Sequence, residues 1–170
     1  MQSTPLFKNT TIPGSVASSK VPVKFQRFHP DVKLPQTWSE HAIGMDLHAH
    51  LLTPDGRPNT AIIPPRSTRM IGCGFAAEPQ EGYYLTIHSR SGIAKKNSVF
   101  VPNGPGIIDP DYRGEIGALL YNGGYESYYV KHGERIAQLV LNHVIEMQVV
   151  ESALLSSSSR AGSGFGSTGT

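Results

Sequence analysis

Short apolar segments rich in β-branched and aromatic residues recur along most of the 170-residue chain. They lie at residues 22–25, 61–63, 70–75, 83–88, 98–101, 116–121, 127–130 and 136–141. Turn signals built from Pro, Gly, Asn and Asp separate most of them, as in Pro54-Asp55-Gly56. Many short strands at this spacing predict an all-β fold, a jelly-roll-like barrel or sandwich, with Ser91–Asn97 as one short helix.

The length of the chain indicates one domain, flanked by two segments of different composition. Residues 1–20 are rich in Ser, Thr and Pro and predict a flexible N-terminal arm. Residues 21–155 contain the predicted strands and make up the β domain. Residues 156–170 begin with a run of serines and continue with glycines, which predicts a hinge followed by a flexible C-terminal arm.

The charge and cysteine content argue against several classes of protein. The net charge is +2 and the basic residues are scattered, so no nucleic-acid partner is expected. The single Cys73 excludes a disulfide framework within the chain and fits a reducing compartment. No apolar run is long enough to cross a bilayer, and the first residues lack the order of a secretory signal. We therefore expect an intracellular, cytoplasmic protein without membrane partners, or a nuclear or organellar one in a eukaryote.

Arg90, Ser91 and Gly92 stand where a predicted strand passes into the short helix. The start of a helix exposes unpaired N–H groups and carries partial positive charge. A hydroxyl and a guanidinium are added to it here, so the set suits a phosphate group. The alternative is structural, with Ser91 capping the helix and Arg90 in solvent.

Residues 103–114 join two predicted strands through a sequence rich in Gly and Pro. A hairpin with an unusual backbone path can offer N–H and C=O groups to a flat polar ring, and Asn103 adds an amide. Asp109 follows an apolar pair, where a rigidly held carboxylate can act as a general base toward water. The alternative is an ordinary turn in which Asp109 and Asp111 accept bonds from nearby N–H groups, and for Asp111 we favour that alternative.

Two polar residues lie within otherwise apolar strand segments. Asp46 stands at the start of a predicted strand, where an acid either bonds locally or serves a ligand or a metal. One carboxylate that reaches Mg²⁺ through water is chemically sufficient when phosphates are present. Gln138 follows the turn predicted at Gly133 and is a candidate polar contact at a site or a subunit interface. Ile136 and Leu139 are predicted core residues.

Residues 160–170 place Arg160 and Phe165 in a segment of small residues. Composition alone favours a disordered end. The alternative is a mobile flap in which Arg160 pairs with phosphate and Phe165 stacks on a flat ring. In that flap the backbone of residues 164–168 can bind anionic oxygens.

Three histidines, His41, His48 and His50, raise the question of a transition-metal site. Their spacing matches no usual ligand pattern, and neither Cys73 nor His88 completes one. We therefore interpret them as surface or strand-face residues. A Ser-His-Asp hydrolase is equally unsupported, because the chain contains no G-x-S-x-G segment.

Five segments, taken in order, resemble the motifs of the trimeric dUTPase family from about Val21 to Thr170. The segments are Ala42–Leu47, Arg90–Ala94, Gly106–Gly114, Gly133–Leu139, and Arg160 with Gly164–Gly169. Five ordered matches make chance a poor explanation, whereas each motif alone is weak. The resemblance implies a jelly-roll-like subunit and a homotrimer with three shared sites. It also implies hydrolysis of dUTP to dUMP and pyrophosphate with Mg²⁺, which lowers dUTP and supplies dUMP for dTTP synthesis.

The resemblance implies roles for individual residues. Asp109 would activate the water that attacks the α-phosphorus, and Asp46 would hold Mg²⁺ through water. Gln138 would contact the site, and Tyr112 would pack under the deoxyribose and exclude a 2′-hydroxyl. The remaining substrate contacts, from the phosphates to the uracil edge, would fall to Arg90, Ser91, Gly92, Asn103, Gly106, Ile107, Ile108, Gly117, Arg160, Phe165, Gly166, Ser167 and Thr168.

The tail completes the resemblance, although the chain departs from the family pattern at some positions, among them Pro105 and Pro110 in the hairpin. Arg160 would clamp the γ-phosphate, Phe165 would stack on uracil, and Gly166–Thr168 would bind phosphate oxygens. The chain departs from the family pattern at Ser89, where proline is frequent, and at Ala161, where glycine is frequent. None of these departures removes a functional group.

Two other functions stay open at this point. A dCTP deaminase of related fold needs a general base aimed at the base ring, and the Arg160–Phe165 tail would be unexpected in it. A regulatory module would keep the fold and use nucleotide-bound states to engage a protein partner. The intact catalytic set disfavours regulation as the sole role, and an added regulatory partner stays open.

Overall fold

The computed structural model of the chain describes residues 20–159 and 161–162. These residues form one α-helix, α1 (Ser91–Asn97), and eleven β-strands. The strands are β1 (Val23–Arg27), β2 (Met45–His48), β3 (Thr60–Ile63), β4 (Thr68–Gly72), β5 (Phe75–Pro79), β6 (Tyr83–Ser89), β7 (Val99–Phe100), β8 (Gly106–Ile108), β9 (Gly117–Asn122), β10 (Tyr128–Lys131) and β11 (Arg135–His143). The all-β, jelly-roll-like prediction is confirmed, and so is the short helix.

Every strand pair in the described part of the chain is antiparallel. The largest sheet has the order β2-β11-β6-β8, and a second sheet has the order β4-β9-β7. Two smaller sheets, β1-β5 and β3-β10, complete the body. Because β11 pairs with β2 on one side and β6 on the other, it brings together strands that are distant in sequence.

The hydrophobic core follows the two-residue period of the strands. In β9, Ala118 and Leu120 are buried whereas Leu119 between them is exposed. Burying one Leu or Ile side chain stabilises the fold by about 2 kcal/mol relative to leaving it exposed. Large apolar side chains that are almost completely buried are Leu47, Ile63, Ile71, Phe75, Leu85, Ile116, Leu120, Ile136 and Leu139. The core positions predicted in β11 are therefore confirmed.

The prediction of one strand over residues 70–75 is wrong. The chain ends β4 and begins β5 on either side of a reversal at Gly74, which has φ +76. A Cβ at Gly74 would lie 2.6 Å from Val32 Cγ2, so both the backbone angle and the space require glycine. Cys73 and Phe75, on the two sides of the reversal, are both buried and apolar. The sequence therefore shows one continuous apolar run and no sign of the turn.

The segment 103–114, predicted as a loop between strands, contains the additional strand β8. It pairs with β6, with Gly106 opposite Ile87 and Ile108 opposite Leu85. Flanking Gly and Pro residues obscure this short strand in the sequence. Because β8 is the edge strand of its sheet, no other described strand pairs with its outer side.

The chain after β11 leaves the body of the domain. Residues 144–159 form no strand or helix, and Ile145, Met147, Val149 and Leu154 in it are highly exposed. The domain boundaries predicted at residues 20–21 and 155–156 stay predictions, and residues 1–19 lie outside the described part of the chain. None of the described residues belongs to a helix with the length and apolarity needed to span a bilayer.

Candidate active site

Asp46 is a buried carboxylate held between two arginines. It lies in β2 opposite Gln138 of β11, and 3% of its surface is exposed. Arg90 Nε donates a hydrogen bond to Oδ1 at 2.9 Å, and Arg135 Nη1 donates to Oδ2 at 3.2 Å. A buried carboxylate requires such partners, because an unpaired charge away from water is costly. Asp46 therefore places a fixed negative charge beside the guanidinium of Arg90.

Arg90 joins the end of β6 to the start of α1. It is the N-cap residue of the helix, and its side chain makes no capping hydrogen bond. Its Nη1 instead donates to the carbonyl oxygen of Arg135 at 3.1 Å, in addition to the pair with Asp46. The structural alternative, with Ser91 as the cap and Arg90 in solvent, is therefore wrong.

The first turn of α1 presents Ser91 and Gly92 to solvent. Both residues are exposed, and a Cβ added to Gly92 would meet no atom within 4 Å. The N–H groups of a first helical turn have no partner within the helix. Open space, unpaired N–H groups and the adjacent guanidinium give this surface the chemistry that a phosphate group requires.

Arg135 is a site residue that the sequence interpretation did not single out. Its guanidinium pairs with Asp46 and lies 4.7 Å from the centroid of the Trp38 ring, a cation–π contact. The signal in the sequence is its position two residues after the turn predicted at Gly133, within the motif that contains Gln138. Gly133 has φ +75, which confirms the turn.

A cleft of about 650 Å³ opens beside Arg135 and is lined in part by Arg27, Lys33, Trp38 and His48. His48 is 8% exposed, and its Nδ1 has no hydrogen-bond partner among the described residues. Burial and then the charge of Lys33 lower the pKa of His48, so the neutral ring is favoured. Neither Arg90 nor Asp109 lines this cleft.

Gln138 lies near the centre of the large sheet, opposite Asp46 on β2 and His88 on β6. Its side chain lies against Gly44, where an added Cβ would be 3.2 Å from Gln138 Cδ. A side chain at position 44 would therefore push the Gln138 amide aside by a few tenths of an ångström. The register thus brings Gln138 next to Asp46, and its contact with substrate stays a prediction.

The segment from Asn103 to Gly117 comprises the edge strand β8 and the loop that leads into β9. Asn103 packs on Gly106, where an added Cβ would lie 3.1 Å from Asn103 Nδ2. Ile107 is exposed and Ile108 is half-buried, while Gly117 is the first residue of β9. The Asn103 amide therefore lies beside the first residue of β8, a strand whose outer edge pairs with no other described strand.

Asp109 follows β8 and exposes its carboxylate. Neither Asp109 nor Asp111 uses its side chain in a hydrogen bond to another described residue, so the turn-stabilising alternative is wrong for both. The main-chain carbonyl of Asp109 accepts a bond from Tyr112 N at 3.1 Å, and Tyr112 Oη donates to the Glu115 carbonyl at 3.1 Å. A Cβ added to Gly114 would overlap the Tyr112 hydroxyl, so the ring lies across the hairpin.

Asp109 and Arg90 lie near opposite ends of β6. Asp109 borders a cleft of about 400 Å³ together with Tyr84 and His143. Tyr84 lies near the start of β6, and Arg90 directly follows its end. At the usual rise per residue of a strand, the two positions are about 20 Å apart. The structure therefore brings Asp46, Arg90 and Gln138 together, and it leaves Asp109 and Tyr112 in a separate region of the same chain.

The predicted flap residues Arg160, Phe165, Gly166, Ser167 and Thr168 lie outside the described residues, and their roles stay predictions. Ala161 is described and has φ +43, in the left-handed region that favours glycine. The departure from the family pattern at Ala161 therefore falls at a backbone position that suits the glycine of that pattern.

Comparisons with known proteins agree on one family. The family profile described as dUTPase matches residues 31–169. The chain is 39% identical over 147 residues to the deoxyuridine 5'-triphosphate nucleotidohydrolase of Nautilia profundicola, and the match covers 86% of this chain and 98% of that protein.

Solved structures of dUTPases share the fold. A mutant dUTPase of Staphylococcus bacteriophage 80alpha with dUpNHpp gives a TM-score of 0.75 at 22% identity, over 88% of this chain and 99% of that chain. A mutant dUTPase from phage phi11 of S. aureus, which coordinates a structural Mg(II) ion, gives a TM-score of 0.68 at 18% identity, over 80% of this chain and 99% of that chain. Because the sequence profile covers most of its length, the chain belongs to the dUTPase family.

Proposed function

We propose that this chain hydrolyses dUTP to dUMP and pyrophosphate, with Asp109 activating the water that attacks the α-phosphorus. The observation that carries the proposal is the exposed Asp109 carboxylate, which receives no hydrogen bond from the described residues. Such a carboxylate can accept a proton from water, whereas Asp46 is occupied by two arginines. Membership of the dUTPase family supports the substrate, and the reaction lowers dUTP while supplying dUMP for dTTP synthesis.

The triphosphate fits the surface formed by Arg90, Ser91 and Gly92. Attack on phosphorus depends on charge neutralisation and an aligned water more than on covalent chemistry. The guanidinium of Arg90 is already oriented by Asp46 and by the Arg135 carbonyl, so little side-chain freedom is lost when phosphate binds.

The nucleoside fits the hairpin that carries Asp109. The outer edge of β8, which pairs with no other described strand, supplies backbone donors and acceptors for the uracil edge, near the Asn103 amide. A backbone donor facing position 4 of the ring accepts uracil and rejects cytosine, whose exocyclic amine would meet it. The exposed face of Tyr112 supports the deoxyribose, and an aromatic face offers a 2′-hydroxyl neither space nor a strong hydrogen-bond partner.

We infer that Mg²⁺ binds together with the substrate phosphates and reaches Asp46 through water. Both oxygens of Asp46 already accept bonds from arginines, which suits a contact through water better than a direct bond to the ion. Each carboxylate oxygen keeps a further lone pair for a water molecule. When bound, the ion neutralises phosphate charge.

We propose that the protein is a homotrimer whose sites draw residues from more than one chain. The α-phosphorus and the other phosphates belong to one small molecule, whereas Asp109 and Arg90 are separated by about 20 Å along β6. A site that uses both residues therefore needs Asp109 from one chain and Arg90 from another.

Exposed apolar pairs on two sheets support contact between copies. Ile62 on β3 stands opposite Tyr129 on β10, and Met70 on β4 stands opposite Leu119 on β9. All of these side chains are exposed in the single chain. Adjacent apolar residues on the surface of a sheet are typical of an interface.

The exposed apolar residues of the segment 144–159 support a C-terminal arm that packs on a neighbouring subunit. In this proposal the arm carries residues 160–170 to a neighbour's site. There Arg160 contacts the γ-phosphate, Phe165 stacks on uracil, and Gly166–Thr168 bind phosphate oxygens. Closure of such a flap excludes water from the reacting phosphate.

The function is tested by pyrophosphate release from dUTP, dCTP, dTTP and UTP under the same conditions. We expect release from dUTP alone, and loss of release when EDTA removes divalent ions, with recovery on addition of Mg²⁺. Uridine products from dCTP would favour the deaminase instead. Absence of pyrophosphate from dUTP with Mg²⁺ present would refute the proposal.

The shared site is tested by mixing two inactive variants, Asp109→Asn and Arg90→Ala. If each site takes the two residues from different chains, random mixing regenerates an intact pair in about one quarter of the sites. Co-expression or refolding of the mixture should then restore activity that neither variant has alone. A mixture as inactive as its components would show that both residues come from one chain.

A further inference from the structure

A second polar cluster lies outside the candidate active site. His29 Nδ1, a carboxylate oxygen of Asp31 and a ring nitrogen of His50 lie within 4.8 Å of one another. His50 Nε2 is 3.0 Å from Asp31 Oδ1, and His29 Nδ1 contacts the same oxygen. None of the three belongs to the residues assigned to dUTP or Mg²⁺. Two imidazole nitrogens and one carboxylate therefore converge at one point.

The ring of His50 is confined by the backbone next to it. Gly74 has φ +76, and a Cβ added there would lie 2.7 Å from His50 Cγ. The main-chain N–H of His50 donates to the Gly72 carbonyl at 2.9 Å. A ring that is already held in place loses little conformational freedom when it binds a ligand.

His132 completes the cluster as a partner of Asp31. Its Nδ1 accepts a hydrogen bond from the Leu51 N–H at 3.1 Å, so the proton of the neutral ring is on Nε2. That Nε2–H faces Asp31 Oδ2 at 3.5 Å, which orients the carboxylate as outer partners do at metal sites.

We propose that His29, Asp31 and His50 bind one Zn²⁺ ion, with water as the fourth ligand. Bonds of about 2.0–2.1 Å to nitrogen and oxygen place tetrahedral ligand atoms about 3.3 Å apart, which the converging atoms reach with small side-chain shifts. Imidazole nitrogen favours Zn²⁺ and related transition metals, whereas Mg²⁺ prefers oxygen ligands and retains its water. The Zn²⁺ is therefore distinct from the Mg²⁺ bound with dUTP.

The ion joins parts of the chain that are distant in sequence. His29 and Asp31 lie between β1 and β2, and His50 follows the end of β2. Asp31 also contacts His132, in the turn between β10 and β11. Because β2 and β11 carry Asp46 and Gln138, the ion stabilises the strands next to the candidate active site without contacting substrate. Zn²⁺ is expected to raise the Tm.

The direct test is metal titration of the untagged full chain. The protein is stripped with a chelator and titrated with Zn²⁺ in competition with a chromophoric chelator. We expect one Zn²⁺ per chain, not displaced by millimolar Mg²⁺, and a visible spectrum of four-coordinate Co²⁺ when Co²⁺ replaces Zn²⁺. Failure to bind one Zn²⁺ per chain, or displacement by Mg²⁺, would overturn the proposal.

Variants locate the site on these residues. Loss of one ligand in His50→Ala or Asp31→Asn should weaken Zn²⁺ binding by more than about 100-fold, beyond the range seen for outer partners. His29→Ala changes a more exposed side chain and gives the same readout if His50→Ala fails to fold. His41→Ala, an exposed histidine outside the cluster, is the matched control and should bind as the wild type does. Wild-type affinity in His29→Ala and Asp31→Asn would refute the assignment.

The role of His132 has its own variant. His132→Asn keeps an acceptor for the Leu51 N–H and removes the Nε2 donor, so about 10-fold weaker Zn²⁺ binding is expected. Unchanged Zn²⁺ affinity in this variant would remove His132 from the cluster. dUTP turnover in the His29→Ala variant should equal that of the wild type, so the outcome for Zn²⁺ is independent of the proposed hydrolysis.

Discussion

The two regions of the candidate active site differ in how much of their geometry one chain determines. In the arginine region, Asp46, Arg90 and Arg135 hold one another through direct hydrogen bonds, and Asp46 is buried. In the hairpin region, Tyr112 is fixed by its hydroxyl, while the carboxylate of Asp109 is exposed and makes no hydrogen bond to another described residue.

The difference matches the chemical demands on the two regions. Phosphate binding benefits from charges that are oriented before the substrate arrives, because reorganisation in the reaction is then small. A general base must instead keep a lone pair free for a water proton. The two regions meet only between chains in the proposed trimer, so assembly also controls when the base reaches the phosphate.

The largest effect is expected in the hairpin region. Asp109→Asn should lower kcat by about 10³-fold, because an amide cannot accept a proton from the attacking water. Binding of a non-hydrolysable dUTP analogue should remain close to wild type, since the substitution keeps the shape of the side chain. Steady-state kinetics and calorimetry measure the two quantities.

The neighbouring Asp111→Asn is the matched control for Asp109→Asn. Asp111 is also exposed and free of side-chain hydrogen bonds to described residues, yet it has no assigned part in the reaction. Its kcat should be close to that of the wild type. Equal losses in the two variants, or parallel loss of binding in Asp109→Asn, would contradict the role of Asp109.

The second-largest effect is expected from removal of the proposed flap, which would cover both regions of the site. Deletion of residues 160–170 should lower turnover of dUTP by about 100-fold, since it removes the proposed contacts to phosphate and uracil. The Tm should not change, because the hydrophobic core of the described residues lies entirely before this segment. A control that removes only residue 170 should behave as the wild type. Full activity in the longer deletion would exclude the flap.

The sequence identifies the individual residues of both regions, but it does not show which of them contact each other. Motif residues such as Asp46, Arg90 and Asp109 were identified individually, and the helix after Arg90 was predicted from local sequence. The pairing of Asp46 with Arg90 depends on the register of β2, β11 and β6, which brings together residues remote in sequence. Arg135 was missed for the same reason, because its partner lies on another strand.

The contacts of the histidines are likewise not predictable from their spacing in the sequence. In the sequence, His41, His48 and His50 form one group because they lie close together along the chain. The structure instead brings His50 to His29 and Asp31, through the reversal at Gly74 that the continuous apolar run concealed. Contacts of this kind follow from how the strands fold back on each other, which spacing along the chain does not reveal.

Asp46→Asn is expected to weaken both the stability of the arginine region and its binding of substrate. The substitution leaves two guanidinium groups with a neutral partner, and the free energy of unfolding should fall by about 2 kcal/mol. This value lies below that for a completely buried pair, because the Arg135 side chain is 42% exposed. KM for dUTP should also rise, since Arg90 loses its orienting partner. Urea unfolding and steady-state kinetics measure both.

Asp55→Asn provides the comparison for Asp46→Asn. Asp55 also pairs with an arginine, Arg57, but both side chains are exposed. An exposed ion pair contributes little to stability, so the free energy of unfolding should change much less than in Asp46→Asn. A similar change in both variants would show that burial does not strengthen the Asp46 pairs.

The smallest effect concerns Ser89, which precedes Arg90 where the family often has proline. Ser89 Oγ accepts a hydrogen bond from the buried Val101 N–H at 2.9 Å, and so links the start of α1 to the segment that leads into the hairpin. Ser89→Ala leaves that N–H without its acceptor and should lower the free energy of unfolding by about 1 kcal/mol. Ser39→Ala, at an exposed serine, is the control in urea unfolding. If the two variants are equally stable, the hydrogen bond of Ser89 does not contribute to the stability of the domain.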